Sequence, residues 1–145
     1  MRINRKLQYG LLFAIYLSRS GRSTIDIVSQ NIDVPKAFLE QIAREMRMGG
    51  ILKSIRGPHG GYELVGEPTV GGVFEALGEM TLLSQQELSI YRTGELEHRA
   101  LSSMVSDMSF SLHNIMRRSI KDVVRETVAA EKYLLSKAKE SMRPN

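Results

Sequence analysis

Residues 49–65, Gly-Gly-Ile-Leu-Lys-Ser-Ile-Arg-Gly-Pro-His-Gly-Gly-Tyr-Glu-Leu-Val, constrain this chain more than any other stretch. Two short apolar runs, Ile51–Ile55 and Tyr62–Val65, flank a turn that holds Gly57, Pro58, Gly60 and Gly61, and that pattern predicts a β-hairpin. Arg56 falls at the base of the turn and His59 near its tip. A glycine-rich hairpin that presents an arginine just after a helical segment is how a winged-helix protein reaches nucleic acid. A phosphate cradle would need a helix opening directly after the glycines. Here they run into Tyr62-Glu63-Leu64-Val65 and stop at Gly66 and Pro68, which disfavours nucleotide binding. On the hairpin alone, a surface turn that binds nothing stays open.

What precedes the hairpin narrows the choice. Apolar periodicity predicts a first helix over Arg5–Ser18, ended by Ser20-Gly21. Ser23 or Thr24 is placed to cap a second helix over Ile25–Asn31, since either hydroxyl can accept from an unpaired N–H of the first turn. Pro35 suits the first turn of a third helix running to Met48. Phe38, Leu39, Ile42 and Met46 form its apolar stripe, and Gly49-Gly50 stops it. Two helices joined by a tight turn, followed by a hairpin, make a winged helix-turn-helix. A fourth helix is expected over Val70–Met80. The fold class is therefore mainly α with a small two-stranded wing.

The rest of the chain reads differently. Residues 81–100 form an acidic connecting segment, a candidate sensor region. From Leu101 to Lys137 neither proline nor glycine interrupts a helical pattern carried by Val105, Met108, Leu112, Ile115, Met116, Ile120, Val123, Val124, Val128 and Leu135. A single helix of about 35 residues would be ~50 Å long, too long to bury its stripe against so small a domain. A second copy of the chain is the default symmetric solution. Met108, Leu112, Ile115, Met116, Ile120 and Val123 are the expected dimer interface. The domains are thus 1–80, winged helix-turn-helix; 81–100, connecting segment; and 101–145, long dimerisation helix and tail.

Charge separates the same parts. Residues 1–65 hold 10 Lys or Arg against 5 Asp or Glu, and residues 66–145 hold 10 against 11. The basic half carries the hairpin, as expected if that half faces a polyanion. The chain has no cysteine, which excludes disulfides, zinc thiolate sites and cysteine nucleophiles. Arg2, Arg5 and Lys6 precede the apolar run Leu11–Leu17, but no small-residue cleavage site follows, and the run is too short to span a bilayer. A cytoplasmic protein with no membrane association is expected. No paired carboxylates, nucleophile–base arrangement or phosphate loop points to an enzyme, so no catalytic residues are assigned.

The Leu-Gln-Tyr-Gly start of the first helix, Pro-Lys-Ala-Phe-Leu-Glu-Gln-Ile, Gly-Gly-Ile-Leu-Lys-Ser and Arg-Gly-Pro-His-Gly-Gly-Tyr occur in that order. In this the chain resembles the IscR/NsrR/CymR type of bacterial transcription regulator (the Rrf-two family), closely to about residue 80 and more loosely along the C-terminal helix. The resemblance implies homodimers that bind palindromic operators in double-stranded DNA, with long C-terminal helices crossing at the dimer interface. It also implies DNA reading through Lys36, Ala37, Glu40, Gln41 and Arg44 on the third helix and through Arg56 in the wing. The chemistry agrees: Gln41 can pair with adenine, Glu40 can accept from a cytosine amino group, and Arg56 can probe a narrow minor groove. Ser54, Tyr9, Lys53 and His59 are candidate phosphate contacts, while Phe38 and Leu39 read as core.

One departure from the family is large. Many members hold an iron–sulfur cluster on cysteines located in the region equivalent to Leu83–Arg99, and this chain has none. Three scattered histidines, His59, His98 and His113, do not replace several thiolates. No cofactor and no metal site are expected. Glu95, Glu97 and His98 could coordinate a metal, but their spacing matches no strong motif and a solvated surface accounts for them. The expected function is a DNA-binding transcription regulator, a repressor acting as a homodimer without a cluster. The alternative is a winged-helix protein-interaction module paired with a partner enzyme, using the acidic stretch Glu67–His98. A small-molecule effector between the dimer helices, lined by Met104, Met108 and Met116, is also open.

Overall fold

The computed structural model describes residues 4–78 and 95–143. Helix α1 (Arg5–Ser20) begins where the Asn4 side chain accepts from the Leu7 N–H at 2.9 Å. It ends at Gly21, whose φ of 72° closes the helix in a conformation glycine adopts without strain. Thr24 caps α2 (Ile25–Ile32) through the Ile27 N–H. Asp33 turns the chain at φ 52°, and the Ser29 hydroxyl donates to the Val34 carbonyl at 2.7 Å, holding the turn before α3 (Lys36–Met48). Pro35 stands at the N-cap of α3 rather than inside its first turn.

The Ile51 N–H donates to the Met46 carbonyl at 2.8 Å and leads directly into strand β1 (Leu52–Ile55). Strand β2 (Gly61–Leu64) returns antiparallel, pairing Leu52 with Leu64, Lys53 with Glu63, Ser54 with Tyr62 and Ile55 with Gly61. Helix α4 (Val70–Ala76) follows, with Thr69 as cap; it is shorter than the expected Val70–Met80, and residues 79–80 lie outside the described residues. So do residues 81–94 of the connecting segment, including Glu87, Tyr91 and Arg92.

The helices α1 to α4 enclose one core. Phe13, Ala14, Val28, Leu39, Ala43, Met46 and Val73 have no exposed surface. The approach of α4 to α1 explains Gly10: a Cβ there would lie 2.4 Å from Leu77 Cδ1. The class is the expected one, mainly α with a two-stranded antiparallel sheet and a long C-terminal helix.

The pattern read as one helix over 101–137 is in fact two, α5 (Leu96–Met116) and α6 (Ile120–Ser141). The break has a physical cause at each residue. Ser119 is an N-cap whose side chain accepts from the Asp122 N–H at 3.0 Å. The Val70 N–H donates to the Arg118 carbonyl and the Ile120 N–H to the Pro68 carbonyl, both at 2.9 Å. These two bonds stitch the junction to the start of α4 as an isolated bridge between Thr69 and Ser119. The first turns of α6 then pack on α1. Ile120 (1% exposed) and Met116 (7%) therefore belong to the core of their own chain, not to the surface where a dimer interface was expected.

Candidate nucleic-acid interface

The exposed side of α3 follows from its period. Leu39, Ile42, Ala43 and Met46 turn inward, which leaves Lys36, Ala37, Glu40, Gln41 and Arg44 outward at the complementary positions. These five residues share one helix and are all exposed. Lys36 Nζ lies 2.9 Å from Asp26 Oδ1. That hydrogen bond and the Asp26 charge raise the lysine above its ordinary value, so it stays cationic at neutral pH. Lys6 and Glu45, 3.0 Å apart, tie α1 to α3.

Phe38 differs from expectation. It lies on the flank of the buried stripe and is 52% exposed, its ring set edge-on to Tyr9 with centroids 6.1 Å apart and an interplanar angle of 65°. Leu39, expected in the core beside it, is fully buried.

The wing is braced by charges its sequence does not advertise. Glu63 on β2 accepts from Lys53 Nζ and from Arg22 Nε, each at 2.8 Å. The Lys53 hydrogen bond first, and the Arg22 hydrogen bond next, hold the Glu63 carboxyl below the ordinary glutamate range. Arg22 also donates from Nη1 to the His59 carbonyl at 3.4 Å. Arg22 was not among the expected site residues; it sits 41 positions from Glu63, and nothing local in the sequence signals the pair. Lys53, Ser54, Arg56 and His59 are all exposed. Among the described residues Arg56 is engaged by no carboxylate, whereas Lys53 is already paired.

Glycine at the end of the turn is a steric requirement. A Cβ on Gly60 would lie 2.3 Å from the Ile55 carbonyl oxygen, so the turn cannot close around a side chain.

The expected dimer residues divide into three groups. Met116 and Ile120 are buried, Leu112 and Val123 half-buried, and Met108 (63%) and Ile115 (50%) exposed. On α5 an outer apolar row runs through Leu101, Met104, Met108 and Ile115 at helical spacing. A cleft of about 390 Å³ opens between α4 and the end of α5, lined by Thr69, Phe74, Glu75, His113, Met116 and Arg117. Of the three methionines considered for a ligand pocket, only Met116 reaches it; Met104 and Met108 stand on the exposed row.

The chain has no thiol, and the described residues contain no group of three or more His, Asp or Glu side chains able to hold a metal ion. Glu95, Glu97 and His98 are exposed at the start of α5. No helix among the described residues is long and apolar enough to cross a membrane.

Residues 3–126 match the Rrf2 family model, that of an iron-dependent transcriptional regulator. The regulator CymR of Bacillus subtilis is 35% identical over 83 residues, 53% of this chain and 60% of the relative. The regulator IscR of Cronobacter sakazakii is 33% identical over 85 residues, 54% of this chain and 52% of the relative. The chain thus spans less than two thirds of the length of each. Among solved structures, a transcriptional regulator from Listeria innocua superposes with a TM-score of 0.68 at 28% identity, covering 86% of this chain and 87% of that one. The structure of Bacillus subtilis CymR gives 0.69 at 24% identity, covering 87% and 98%, a likeness of fold.

Proposed function

This chain belongs to the Rrf2 family of transcriptional regulators, and from that premise we propose that it is a sequence-specific repressor that binds a palindromic operator as a homodimer, without an iron–sulfur cluster. The observation that carries the reading is the pairing of an exposed α3 face with a braced wing whose Arg56 is free of any acidic partner among the described residues. A helix-turn-helix enters the major groove with the first turns of its second helix, and on α3 those turns present Lys36, Ala37, Glu40, Gln41 and Arg44. Arg44 and Lys36 supply charge for phosphates, Gln41 and Glu40 supply base-edge hydrogen bonding, and Arg56 is placed to enter the minor groove. Ser54, Lys53 and His59 add backbone contacts.

Dimerisation is supported by the outer row of α5, since four large apolar side chains at helical spacing on one exposed face need a cover. Independence from iron is supported by the lack of any thiol in the chain. The test is binding of the purified protein to double-stranded DNA carrying its own promoter, followed at rising salt. Affinity should fall steeply, because each phosphate contact releases condensed counterions, and a chelator should change nothing. Equal affinity for unrelated DNA at every salt concentration would refute an operator.

A further inference from the structure

We propose that Phe38 reads thymine, packing its ring against the C5-methyl group in the major groove, as a specificity-determining residue alongside Gln41; this rests on the operator reading above. Three features of the residue support it. Phe38 is the third residue of α3, within the turn that a recognition helix inserts deepest. It is half exposed, although the neighbouring Leu39 shows that this helix has a fully buried stripe available for apolar side chains. Its ring stands in a T-shaped arrangement with the Tyr9 ring, centroids 6.1 Å apart, a contact that limits its rotation while about half of the residue stays exposed.

The chemistry then selects the partner. A phenyl ring donates and accepts no conventional hydrogen bond, so it takes little from phosphates or from most base edges. Among unmodified base pairs, only A·T offers an apolar group in the major groove, the thymine methyl. Gln41 lies one turn further along α3 on the adjoining exposed side, and its amide matches adenine N6 and N7. One side chain thus addresses the adenine and its neighbour the methyl of a thymine in the same or an adjacent pair. Tyr9 acts here as a positioning residue, holding the ring without touching the base.

The experiment selects double-stranded DNA from a random pool with the wild-type protein. Each thymine of the enriched site is then replaced in turn by deoxyuridine, which removes the methyl and nothing else. Wild-type affinity should drop on the order of three- to tenfold at one thymine in each half-site, the scale of one buried methyl. Phe38→Ala should bind the site more weakly yet be indifferent to that replacement. Wild-type protein insensitive to every thymine-to-uridine replacement would overturn the inference, and that arm does not depend on any variant folding. So would a Phe38→Ala protein that loses the same factor as wild type. Failure of the pool to enrich any sequence would remove the operator reading and this inference with it.

Discussion

Ser23 and Tyr62 exchange both of their backbone hydrogen bonds, Ser23 N–H to the Tyr62 carbonyl at 3.0 Å and Tyr62 N–H to the Ser23 carbonyl at 2.8 Å. The turn between α1 and α2 thereby serves as a third strand for the wing, over a single residue pair. A two-stranded hairpin alone is marginal in water. This one is held by that bridge, by Arg22 on Glu63, and by Phe13 edge-on to the Tyr62 ring at 6.1 Å. A wing so anchored presents a fixed shape to whatever faces it.

The bridge depends on Gly61. Its φ is 133°, and a Cβ there would lie 2.6 Å from the Ser23 carbonyl carbon and oxygen. Gly61→Ala should destabilise the protein by roughly 1–3 kcal/mol, the range for a strained backbone position. Denaturant unfolding measures it. An unchanged midpoint would mean that the wing does not need this contact.

Glu63 should make the wing sensitive to acid. Its carboxyl is held low by Lys53 and Arg22. The stabilisation from the charged form is present above the ordinary glutamate range and is lost as pH falls through the lower folded-state value. An NMR titration of the Glu63 carboxyl should therefore show a midpoint below that of an unstructured glutamate. In Glu63→Gln the stability profile should lose that acidic step. A midpoint at the ordinary value would show the two contacts to be idle in solution.

Arg56→Ala should weaken operator binding by ~1–3 kcal/mol at fixed salt and reduce the salt dependence. Gln41→Ala should instead relax base preference while leaving non-specific affinity nearly constant. Competition binding against single-base operator variants separates the two effects; a uniform loss in the Gln41 variant would argue against direct readout.

Met108 and Ile120 should behave in opposite ways. Ile120→Ala empties a fully buried site and should cost about 2–5 kcal/mol of stability. Met108→Glu lies on the exposed outer row of α5 and should leave the monomer folded while shifting sedimentation toward the monomer. A dimer indifferent to Met108→Glu would place the interface elsewhere.

Much of the fold was legible because local rules and global packing agree in residues 5–78. The inward Leu39, Ile42 and Met46 of α3, the cap at Thr24, and the stops at Gly21 and Gly49 all follow from short-range chemistry. The unbroken apolar pattern from Leu101 to Lys137 misled because Arg117-Arg118-Ser119 contains no proline or glycine. The break comes from backbone pairing with Thr69, 50 residues earlier in the chain, and no periodicity reports that. The candidate site divides in the same way. The outward residues of α3 follow from the helical period, whereas Arg22 reaches the wing only through the fold. The contact of Phe38 with Tyr9 of α1 likewise comes from the fold and is not reported by the helical period.

The junction at Arg117–Ser119 ties the end of α5 to the start of α4 through main-chain atoms. Two peptide hydrogen bonds thus fix how α5 and α6 leave the body of the domain. Substitution of side chains on either element does not remove that tie, because both bonds are made by main-chain atoms.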